Sequence, residues 1–465
     1  MVVVFLEHQP PRPNFFGFFF VGFVAKTFSF FYETSMIGEI IAIGDELTSG
    51  SVLNTTSYFA ASHLFAAGHE ILAMTTIGDD PEVIGRTLQR ALRRADFVIV
   101  TGGLGPTTDD LTNAAVSSAL ARPATFYPEI FKKIQAHDQN MLAGQHISLE
   151  KLAWLPAGAH ALHTEAKMAG YFLVQDGKPI FFLPGVPQEM KDLLLETVIT
   201  RLAVWEGEEV RQVRQKVYKV VGLAEAEINR KLAHLEGRDP RVRIGYYPVF
   251  PEVHVSLTVT GASSQEAEAV LAKYDGQVTD LLGDCCYGSG ADTLESVVGS
   301  LMAGRGQTVA VAESCTGGLI AHTLSKVAGS SAYFLGGVVA YSDALKERLL
   351  GVNREIILRA GAVSADCARA MAEGMRRVTP VDYALAVTGI AGPSGGTEDK
   401  PVGTVYFGLA SPDKTHTFLF HFSGERVQVQ ALACQAGLDL LRRHLLGLDS
   451  LVLIMADGQC KTNRR

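Results

Sequence analysis

Along most of the chain after Met36, short apolar runs alternate with segments whose apolar residues recur at helical spacing. The apolar runs predict buried strands, and the helical spacing predicts helices that pack against them. Alternation of this kind favours right-handed crossovers and therefore an α/β fold with a doubly wound parallel sheet. In the first region the strands are expected at 38–43, 70–76, 97–100 and 179–182, and the helices at 54–67, 81–94 and 187–202.

Two further regions follow. The segment 204–286 is more polar and predicts a small α+β module, whereas 287–448 returns to the strand–helix alternation of an α/β domain. The middle module is expected to have strands at 212–221, 243–247 and 253–260 and a helix at 264–282. The last region is expected to have strands at 308–312, 382–388, 403–409 and 415–422, a turn and strand within 330–342, and helices at 294–303, 319–326, 343–350, 365–378 and 424–446. The predicted domains are thus 36–203, 204–286 and 287–448, with a tail at 449–465.

The first 35 residues do not follow this pattern. They are crowded with aromatic residues and glycine, and Lys26 interrupts the apolar run before it reaches the length of a membrane-spanning helix. No small-residue cleavage site ends the run, so a secretory signal is not indicated. We expect the extension to lie outside the fold, with Met36 as the natural start and no membrane partner.

Composition narrows the class of protein. The 465 residues are 47% hydrophobic and 19% charged, which is typical of globular domains with sizeable cores. The net charge of −8 argues against a broad surface for nucleic acid, so no direct nucleic-acid partner is expected. The cysteines at 285, 286, 315, 367, 434 and 460 have neither metal-ligand spacing nor the density of a disulfide framework. Reduced thiols and a cytoplasmic location are therefore predicted.

Residues 310–320, Ala-Val-Ala-Glu-Ser-Cys-Thr-Gly-Gly-Leu-Ile, place hydroxyls, a thiol and two glycines between a predicted strand and a predicted helix. Such a turn can bring backbone N–H groups close to an anion or an oxyanion. An ordinary strand-to-helix turn with a Ser or Thr cap explains the same residues. The motif alone therefore leaves both interpretations open.

The loop 101–112 carries the second candidate chemistry. Gly102, Gly103 and Gly105 form an open backbone suited to phosphate or pterin oxygens, and the paired acids Asp109 and Asp110 would bind a divalent cation that bridges to phosphate. The alternative is that one aspartate only caps the next helix. A second acidic pair, at 45 and 46, ends another strand, so both pairs are expected to face one pocket suited to metal-assisted pyrophosphate cleavage.

Three motifs of the first region resemble the N-terminal domain of the CinA family (competence/damage-inducible protein A). They are Gly-Asp-Glu-Leu-x-x-Gly with Asn54, Thr-Gly-Gly-Leu-Gly-Pro-Thr-x-Asp-Asp-Leu-Thr, and Leu-Pro-Gly-Val-Pro-x-Glu-Met. The resemblance implies a molybdopterin-binding-like domain with metal-dependent ADP-ribose pyrophosphatase activity, with Glu46 and Asn54 in its site. It also implies that 204–286 is a KH-like middle domain, here without a Gly-x-x-Gly clamp. At 162–170 the chain lacks two prolines that many relatives carry, so retention of the N-terminal activity stays open.

The last region resembles the same family's nicotinamide-nucleotide amidohydrolase domain. The matching segments are Ala-Glu-Ser-Cys-Thr-Gly-Gly, Gly-Gly-Val-Val-Ala-Tyr-Ser, Lys346 before Leu-Leu-Gly-Val, and Thr-Gly-Ile-Ala-Gly-Pro-x-Gly-Gly. The resemblance implies deamidation of nicotinamide mononucleotide to nicotinate mononucleotide and ammonia, a step of NAD salvage that needs no cofactor. It further implies a homodimer.

Amide hydrolysis assigns provisional roles to these residues. Ser314 is the expected nucleophile and Lys346 its base, with Tyr341 relaying a proton or holding the lysine. The N–H groups of Gly317 and Gly318 would bind the oxyanion. The loop 389–396 and Arg426 would bind the ribose phosphate. The remaining members of the predicted site are Thr316, Thr388, Gly389, Gly392 and Gly395. Cys315 is a rival nucleophile, but neighbouring side chains of an extended segment point to opposite faces.

A second class of function stays open at this point. The chain would then be a molybdopterin-binding protein, or an interaction protein with competence or recombination partners, and not an enzyme. Such a protein is expected to retain a pterin on purification or to co-purify with a DNA-processing protein.

Overall fold

The computed structural model describes residues 36–132, 149–162, 170–207 and 212–448. Within these ranges the chain forms three regions, each with its own main sheet. The predicted extension 1–35 and tail 449–465 lie outside the described residues, as does most of the segment 162–170. None of the described helices combines the length and the apolar character needed to cross a bilayer.

The first region contains a six-stranded sheet in the order β2-β1-β3-β8-β7-β6. The first four strands of this order are parallel, whereas β7 and β6 pair in the antiparallel sense. The predicted doubly wound α/β class is confirmed, and the antiparallel edge is an addition that the apolar pattern did not predict. The strands are β1 (Ile37–Ile43), β2 (Glu70–Ile77), β3 (Phe97–Thr101), β6 (His160–Ala161), β7 (Tyr171–Gln175) and β8 (Lys178–Leu183), and a separate pair is formed by β4 (Ala124–Phe126) and β5 (Trp154–Pro156).

Helices cover both faces of this sheet, so its central strands are apolar on both sides. Ile41 and Val100 pack into one core, and Ile40 and Ile99 into the other. The helices are α1 (Asp45–Thr48), α2 (Thr55–Ala66), α3 (Pro81–Leu92), α4 (Thr112–Ala119), α5 (Pro187–Leu193) and α6 (Ile199–Glu206), the last two joined by a π-helical stretch, Leu194–Val198.

The middle region has a KH-like α+β fold with an antiparallel sheet in the order β10-β11-β9-β12. One face packs against two helices through a core that includes Tyr218, Val255, Ile228 and Val278. Its elements are β9 (Gln212–Val220), α7 (Glu225–Leu232), β10 (Val242–Val249), β11 (Glu252–Gly261), α8 (Ser264–Leu282) and β12 (Cys286–Ser289).

The C-terminal region is built on a five-stranded sheet in the order β14-β13-β15-β16-β17. The strands β14, β13 and β15 are parallel, and β16 and β17 continue the sheet in the antiparallel sense. The strands are β13 (Val309–Glu313), β14 (Phe334–Val339), β15 (Tyr383–Gly389), β16 (Thr404–Ala410) and β17 (Thr415–His421).

Five predicted helices of this region are present, with bounds within two residues of those expected. Ser342 and Ser364 cap two of them, because each hydroxyl accepts a hydrogen bond from the backbone three residues on. The pattern did not predict the short α12. The helices are α9 (Leu294–Gly304), α10 (Leu319–Ser325), α11 (Asp343–Leu350), α12 (Arg354–Ala360), α13 (Ala365–Val378) and α14 (Arg426–Leu446).

Candidate active site

The turn between β13 and α10 is organised around a buried carboxylate. Glu313 is 0% exposed, and its Oε2 accepts hydrogen bonds from Thr316 Oγ1 at 2.7 Å, Gly318 N at 3.0 Å and Ile320 N at 3.1 Å. Its Oε1 accepts from Ala321 N at 2.8 Å. The carboxylate thus satisfies backbone donors at the start of α10, where a negative charge is stabilised. It holds the turn in one shape directly beside Ser314.

This arrangement corrects three of the predicted roles. The N–H of Gly318 donates to Glu313, and the N–H of Gly317 donates to the Ser314 carbonyl at 3.1 Å, so neither points at a substrate oxygen. The Thr316 hydroxyl likewise donates to Glu313. The left-handed backbone of Gly318, with φ of 101°, still explains the glycine. These residues shape the turn. Their donors, which the sequence motif suggested for a ligand, are used by the Glu313 carboxylate and the Ser314 carbonyl.

Ser314 and Lys346 lie together at the end of the sheet. Lys346 Nζ is 3.1 Å from Ser314 Oγ and donates to the Tyr341 carbonyl, also at 3.1 Å. Both side chains are buried, Lys346 to 1% exposure and Ser314 to 7%. Lys346 reaches the serine because α11 starts immediately after β14, which is parallel to β13 and next to it. The parallel register therefore brings together two residues that are 32 positions apart in the chain.

Tyr341 holds Lys346 through its backbone, not through its hydroxyl. The hydroxyl instead accepts a hydrogen bond from Arg426 Nη2 at 2.9 Å. Arg426 Nη1 donates to the Gly392 carbonyl at 2.9 Å. The arginine at the start of α14 therefore links the tyrosine to the loop after β15.

These residues line a cavity of about 270 Å³ at the carboxyl ends of the strands. The loop 389–396 forms much of one wall, and the Thr388 hydroxyl in that wall donates to the Ala362 carbonyl at 2.8 Å. Gly317, Gly318 and Thr316 are not part of the lining. The predicted site residues that the structure does bring together here are Ser314, Tyr341, Lys346, Thr388, Gly389, Gly392, Gly395 and Arg426.

Cys315 borders the same cavity but has the wrong environment for a nucleophile. Burial raises the pKa of its thiol to about 12. A thiol with that pKa stays protonated near neutral pH, and the thiolate is the reactive form.

A second cavity, of about 490 Å³, lies at the strand ends of the first region. The predicted residues Glu46, Gly102, Gly103 and Gly105 line it together with the acids Asp109 and Asp110. Gly102 has a φ of 99°, and a Cβ there would lie 2.1 Å from the Ile43 carbonyl oxygen, so the loop requires glycine at this point. Asp110 accepts hydrogen bonds from the backbone and the hydroxyl of Thr107, which fixes the loop.

Asn54 was predicted to belong to this site, but it does not line the cavity. Asn54 caps α2, because its Oδ1 accepts from Ser57 N at 3.0 Å, and its Nδ2 donates to Thr76 Oγ1. Two acids that the sequence did not single out, Asp79 and Glu189, line the cavity instead. Both follow strands whose carboxyl ends were predicted to lie at the same edge of the sheet. This position after a strand is the sequence feature from which their place in the site could have been inferred.

The acids in and beside this cavity influence one another. Asp45, predicted to face it with Glu46, does not line it and instead exchanges hydrogen bonds with Asp79. Burial raises the pKa of Asp79, and the charges of Asp45, Glu46 and Asp109 raise it further, against the lowering effect of a hydrogen bond with the Asp45 backbone. Carboxylate oxygens are the type of ligand that Mg²⁺ and Mn²⁺ prefer. Within the described ranges, however, no three or more His, Cys, Asp or Glu side chains converge to hold a metal ion. Asp109 and Asp110 thus remain predicted ligands without a complete protein ligand set.

Fold and site together define a three-part α/β protein with a buried serine–lysine pair in its last region and an acidic, glycine-lined cavity in its first. The chain belongs to the CinA family. Three family models match in sequence: "Probable molybdopterin binding domain" over residues 39–204, "Damage-inducible protein CinA KH domain" over 215–288, and "CinA C-terminal domain" over 291–445.

Two CinA-like proteins agree with this assignment. A CinA-like protein of Desulfotalea psychrophila is 49% identical over 377 residues, covering 81% of this chain and 91% of its own. A CinA-like protein of Geobacter sulfurreducens is 42% identical over 373 residues, with coverage of 80% and 90%. Among solved structures, competence damage-inducible protein A from Klebsiella pneumoniae is 36% identical, covering 33% of this chain and 95% of its own, with a TM-score of 0.32.

Proposed function

We propose that the C-terminal domain hydrolyses the carboxamide of nicotinamide mononucleotide to give nicotinate mononucleotide and ammonia. The observation that carries the proposal is the buried pair of Ser314 and Lys346, with Oγ and Nζ 3.1 Å apart in one cavity. A hydroxyl next to a buried amine is the arrangement of serine–lysine acyl-transfer sites. The choice of substrate rests on the likeness of the motifs to the family's amidohydrolase domain.

In this reaction Lys346 takes the hydroxyl proton as Ser314 Oγ attacks the carboxamide carbon. The tetrahedral intermediate collapses when Lys346 returns the proton to the leaving nitrogen, which departs as ammonia. Lys346 then removes a proton from a water molecule that attacks the acyl-serine ester. The ester C–O bond breaks, the serine regains its proton, and the carboxylate product leaves, so one water is consumed for each amide.

Arg426 would bind the phosphate of the nucleotide. Its guanidinium lines the cavity, and it carries more N–H donors than the contacts with Gly392 and Tyr341 use. Charge-assisted hydrogen bonds from arginine are well suited to phosphate oxygens. The contacts with Gly392 and Tyr341 would keep the guanidinium oriented before the substrate binds.

The test is ammonia release from nicotinamide mononucleotide by the purified full chain, with the nicotinate product identified by chromatography. Ser314→Ala is expected to lower kcat by at least about 10³-fold, because it removes the nucleophile, while the thermal unfolding temperature stays close to that of the wild type. Full activity in Ser314→Ala would refute the nucleophile assignment. No turnover by the wild type, combined with a fluorescent pterin retained on purification, would favour the non-enzymatic alternative.

For the N-terminal domain we propose divalent-metal-dependent cleavage of ADP-ribose. The proposal is supported by a cavity of about 490 Å³ that joins glycine-rich backbone to five carboxylates, at positions 46, 79, 109, 110 and 189. An ion held there would need substrate phosphate and water to complete its coordination, as Mg²⁺ commonly does. The assay measures AMP and ribose 5-phosphate from ADP-ribose with Mg²⁺ or Mn²⁺, with Asp109→Asn as the comparison. Absence of turnover with both metals would overturn the proposal.

A further inference from the structure

Asp343 is the only carboxylate among the described residues that line the C-terminal cavity. It is the first residue of α11, and its Oδ1 lies 3.9 Å from Lys346 Nζ. The side chain is 55% exposed and lines the cavity beside the serine–lysine pair. A negative charge therefore stands within reach of any group attached to the reacting carbonyl.

This charge is unexpected in a cavity that binds a phosphate. Arg426, also in the lining, carries a guanidinium that is cationic and suits an anionic ligand. A carboxylate repels such a ligand unless the ligand also carries a positive charge near the acid. Asp343 thus indicates a substrate with two opposite charges, the positive one close to the atom that Ser314 attacks.

We propose that Asp343 selects carboxamides carried on a cationic ring, as in an oxidised pyridine nucleotide. The inference rests on the proposed deamidase function and assigns a specificity role to one residue of its site. The positive charge of a pyridinium belongs to the same ring as the carboxamide. When the carboxamide carbon lies at Ser314 Oγ, the ring is therefore close to Lys346 and to the carboxylate beside it. A neutral dihydropyridine ring of nearly the same shape lacks this attraction.

Two other roles for Asp343 make different predictions. A counter-ion of Lys346 would act on every substrate equally, whatever the charge of its ring. An acid in the first turn of α11 that only complements the helix dipole would change stability and leave selectivity unchanged. Selectivity between a cationic and a neutral ring is therefore the property that isolates the proposed role.

The experiment compares nicotinamide mononucleotide with its 1,4-dihydro form as substrates of wild type, Asp343→Asn and Glu355→Gln. Glu355 is a matched control, because it is an exposed acid in the first turn of α12 and does not line the cavity. Asp343→Asn is expected to reduce the preference for the cationic form, as a ratio of kcat/KM values, by about threefold to tenfold, in keeping with a partly exposed charge pair. Glu355→Gln should leave the ratio unchanged.

The same comparison is made for binding, by calorimetry with Ser314→Ala and with Ser314→Ala combined with Asp343→Asn. An equal loss on both substrates, or an unchanged ratio of activities and affinities, overturns the role of Asp343. Wild type that binds the cationic form preferentially but releases no ammonia refutes the deamidase and leaves the charge selection standing. The two failures are therefore distinguishable.

Discussion

The first and the last regions of this protein carry cavities of similar construction and opposite electrostatic character. Both lie at the carboxyl ends of parallel strands and use glycine-rich loops in their walls. Among the described residues, the N-terminal cavity is lined by five acids and no basic side chain, whereas the C-terminal cavity contains Lys346, Arg426 and one acid. Similar local patterns have thus produced two sites that need different chemistry.

The difference indicates which charged groups each site supplies from its own side chains and which it must take from a bound ion. Under the proposed function, the C-terminal cavity takes its nucleophile, its base and its cation for phosphate from Ser314, Lys346 and Arg426. None of the described residues that line the N-terminal cavity is basic, so we expect an anionic phosphate to enter it together with a cation. If this comparison holds, substitutions in the C-terminal cavity should change kcat or KM for ammonia release. Substitutions of the N-terminal acids should change the repulsion between carboxylates and therefore the stability of the domain.

The largest expected effect comes from the lysine. Lys346→Met keeps an unbranched side chain of similar length in the buried position but removes the amine beside Ser314. We expect kcat for ammonia release to fall by about 10²- to 10⁴-fold, the usual contribution of a general base, with a smaller change in KM. Lys400→Met is the matched control, because Lys400 Nζ also donates to a backbone carbonyl, that of Ala360, outside the cavity lining. Activity of Lys346→Met within tenfold of the wild type would contradict the assignment.

The second-largest effect is expected at Arg426, the arginine that lines the C-terminal cavity. Arg426→Gln should raise KM for nicotinamide mononucleotide by about 10- to 100-fold, because hydrogen bonds to charged groups contribute about 1.5–3 kcal/mol. The effect on kcat should be smaller, since Arg426 does not contact Ser314. Arg359→Gln, which alters an exposed arginine paired with Asp366, serves as control. An unchanged KM in Arg426→Gln would remove Arg426 from the phosphate site.

Cys315 tests whether the C-terminal cavity depends on its serine alone. Because burial raises the pKa of the thiol to about 12, the thiolate forms only far above neutral pH. Cys315→Ala should therefore keep kcat/KM within about threefold, the range of a modest packing change. Iodoacetamide at about pH 7.5 should leave the activity of the wild type intact. Rapid inactivation of the wild type but not of Cys315→Ala would show that the thiol is accessible and ionised.

The smallest expected effect sharpens the description of the acidic cavity. Asp79 has a pKa above its ordinary value of 3.8 in the folded protein, so the charged form is disfavoured there and stability falls as the pH rises through that pKa. Asp79→Asn keeps an oxygen that can accept a hydrogen bond from Asp45 N. It removes a partly buried charge together with its repulsion by Asp45, Glu46 and Asp109. The unfolding temperature should rise by about 1–2 °C near pH 7, and this gain should shrink as the pH falls through the pKa of Asp79, where the carboxylate gains its proton.

The neighbouring residue provides the control for this measurement. Asp80 caps α3 by accepting from Val83 N, and it does not line the cavity. Asn caps helices about as well as Asp, so Asp80→Asn should leave the unfolding temperature nearly unchanged. A lower unfolding temperature for Asp79→Asn than for Asp80→Asn would contradict the proposed repulsion.

Much of the fold could be predicted where local signals agree. The helix α13 has the predicted bounds, because Ser364 caps it and its apolar residues follow helical spacing. The edge strand β6 was not predicted, since it is only two residues long and carries almost no periodic signal. The strand β7 was not predicted either, and its antiparallel direction could not be, because alternation of apolar residues does not encode strand direction.

The candidate sites divide in the same way. Ser314, Lys346 and Arg426 could be selected once their motifs were compared with the family's amidohydrolase domain, and they share one cavity. Asp79 was not selected because it belongs to none of the quoted motifs, and Glu189 was not selected although it is the acid of Leu-Pro-Gly-Val-Pro-x-Glu-Met. The sheet order brings both into one cavity. Asn54 illustrates the reverse, because a residue of a recognisable motif serves to cap a helix.

The sequence by itself determined the succession of strands and helices, the glycine-rich turns at strand ends and the types of reactive side chain, since these depend on neighbours along the chain. Only the tertiary structure decided which groups meet. The register of β13 and β14 brings Lys346 to Ser314, and the packing of α14 brings Arg426 to Tyr341. The structure also decided that Glu313 takes the N–H of Gly318. A hydrogen-bond donor has several acceptors within reach in the sequence, and only the folded chain fixes which of them lies closest.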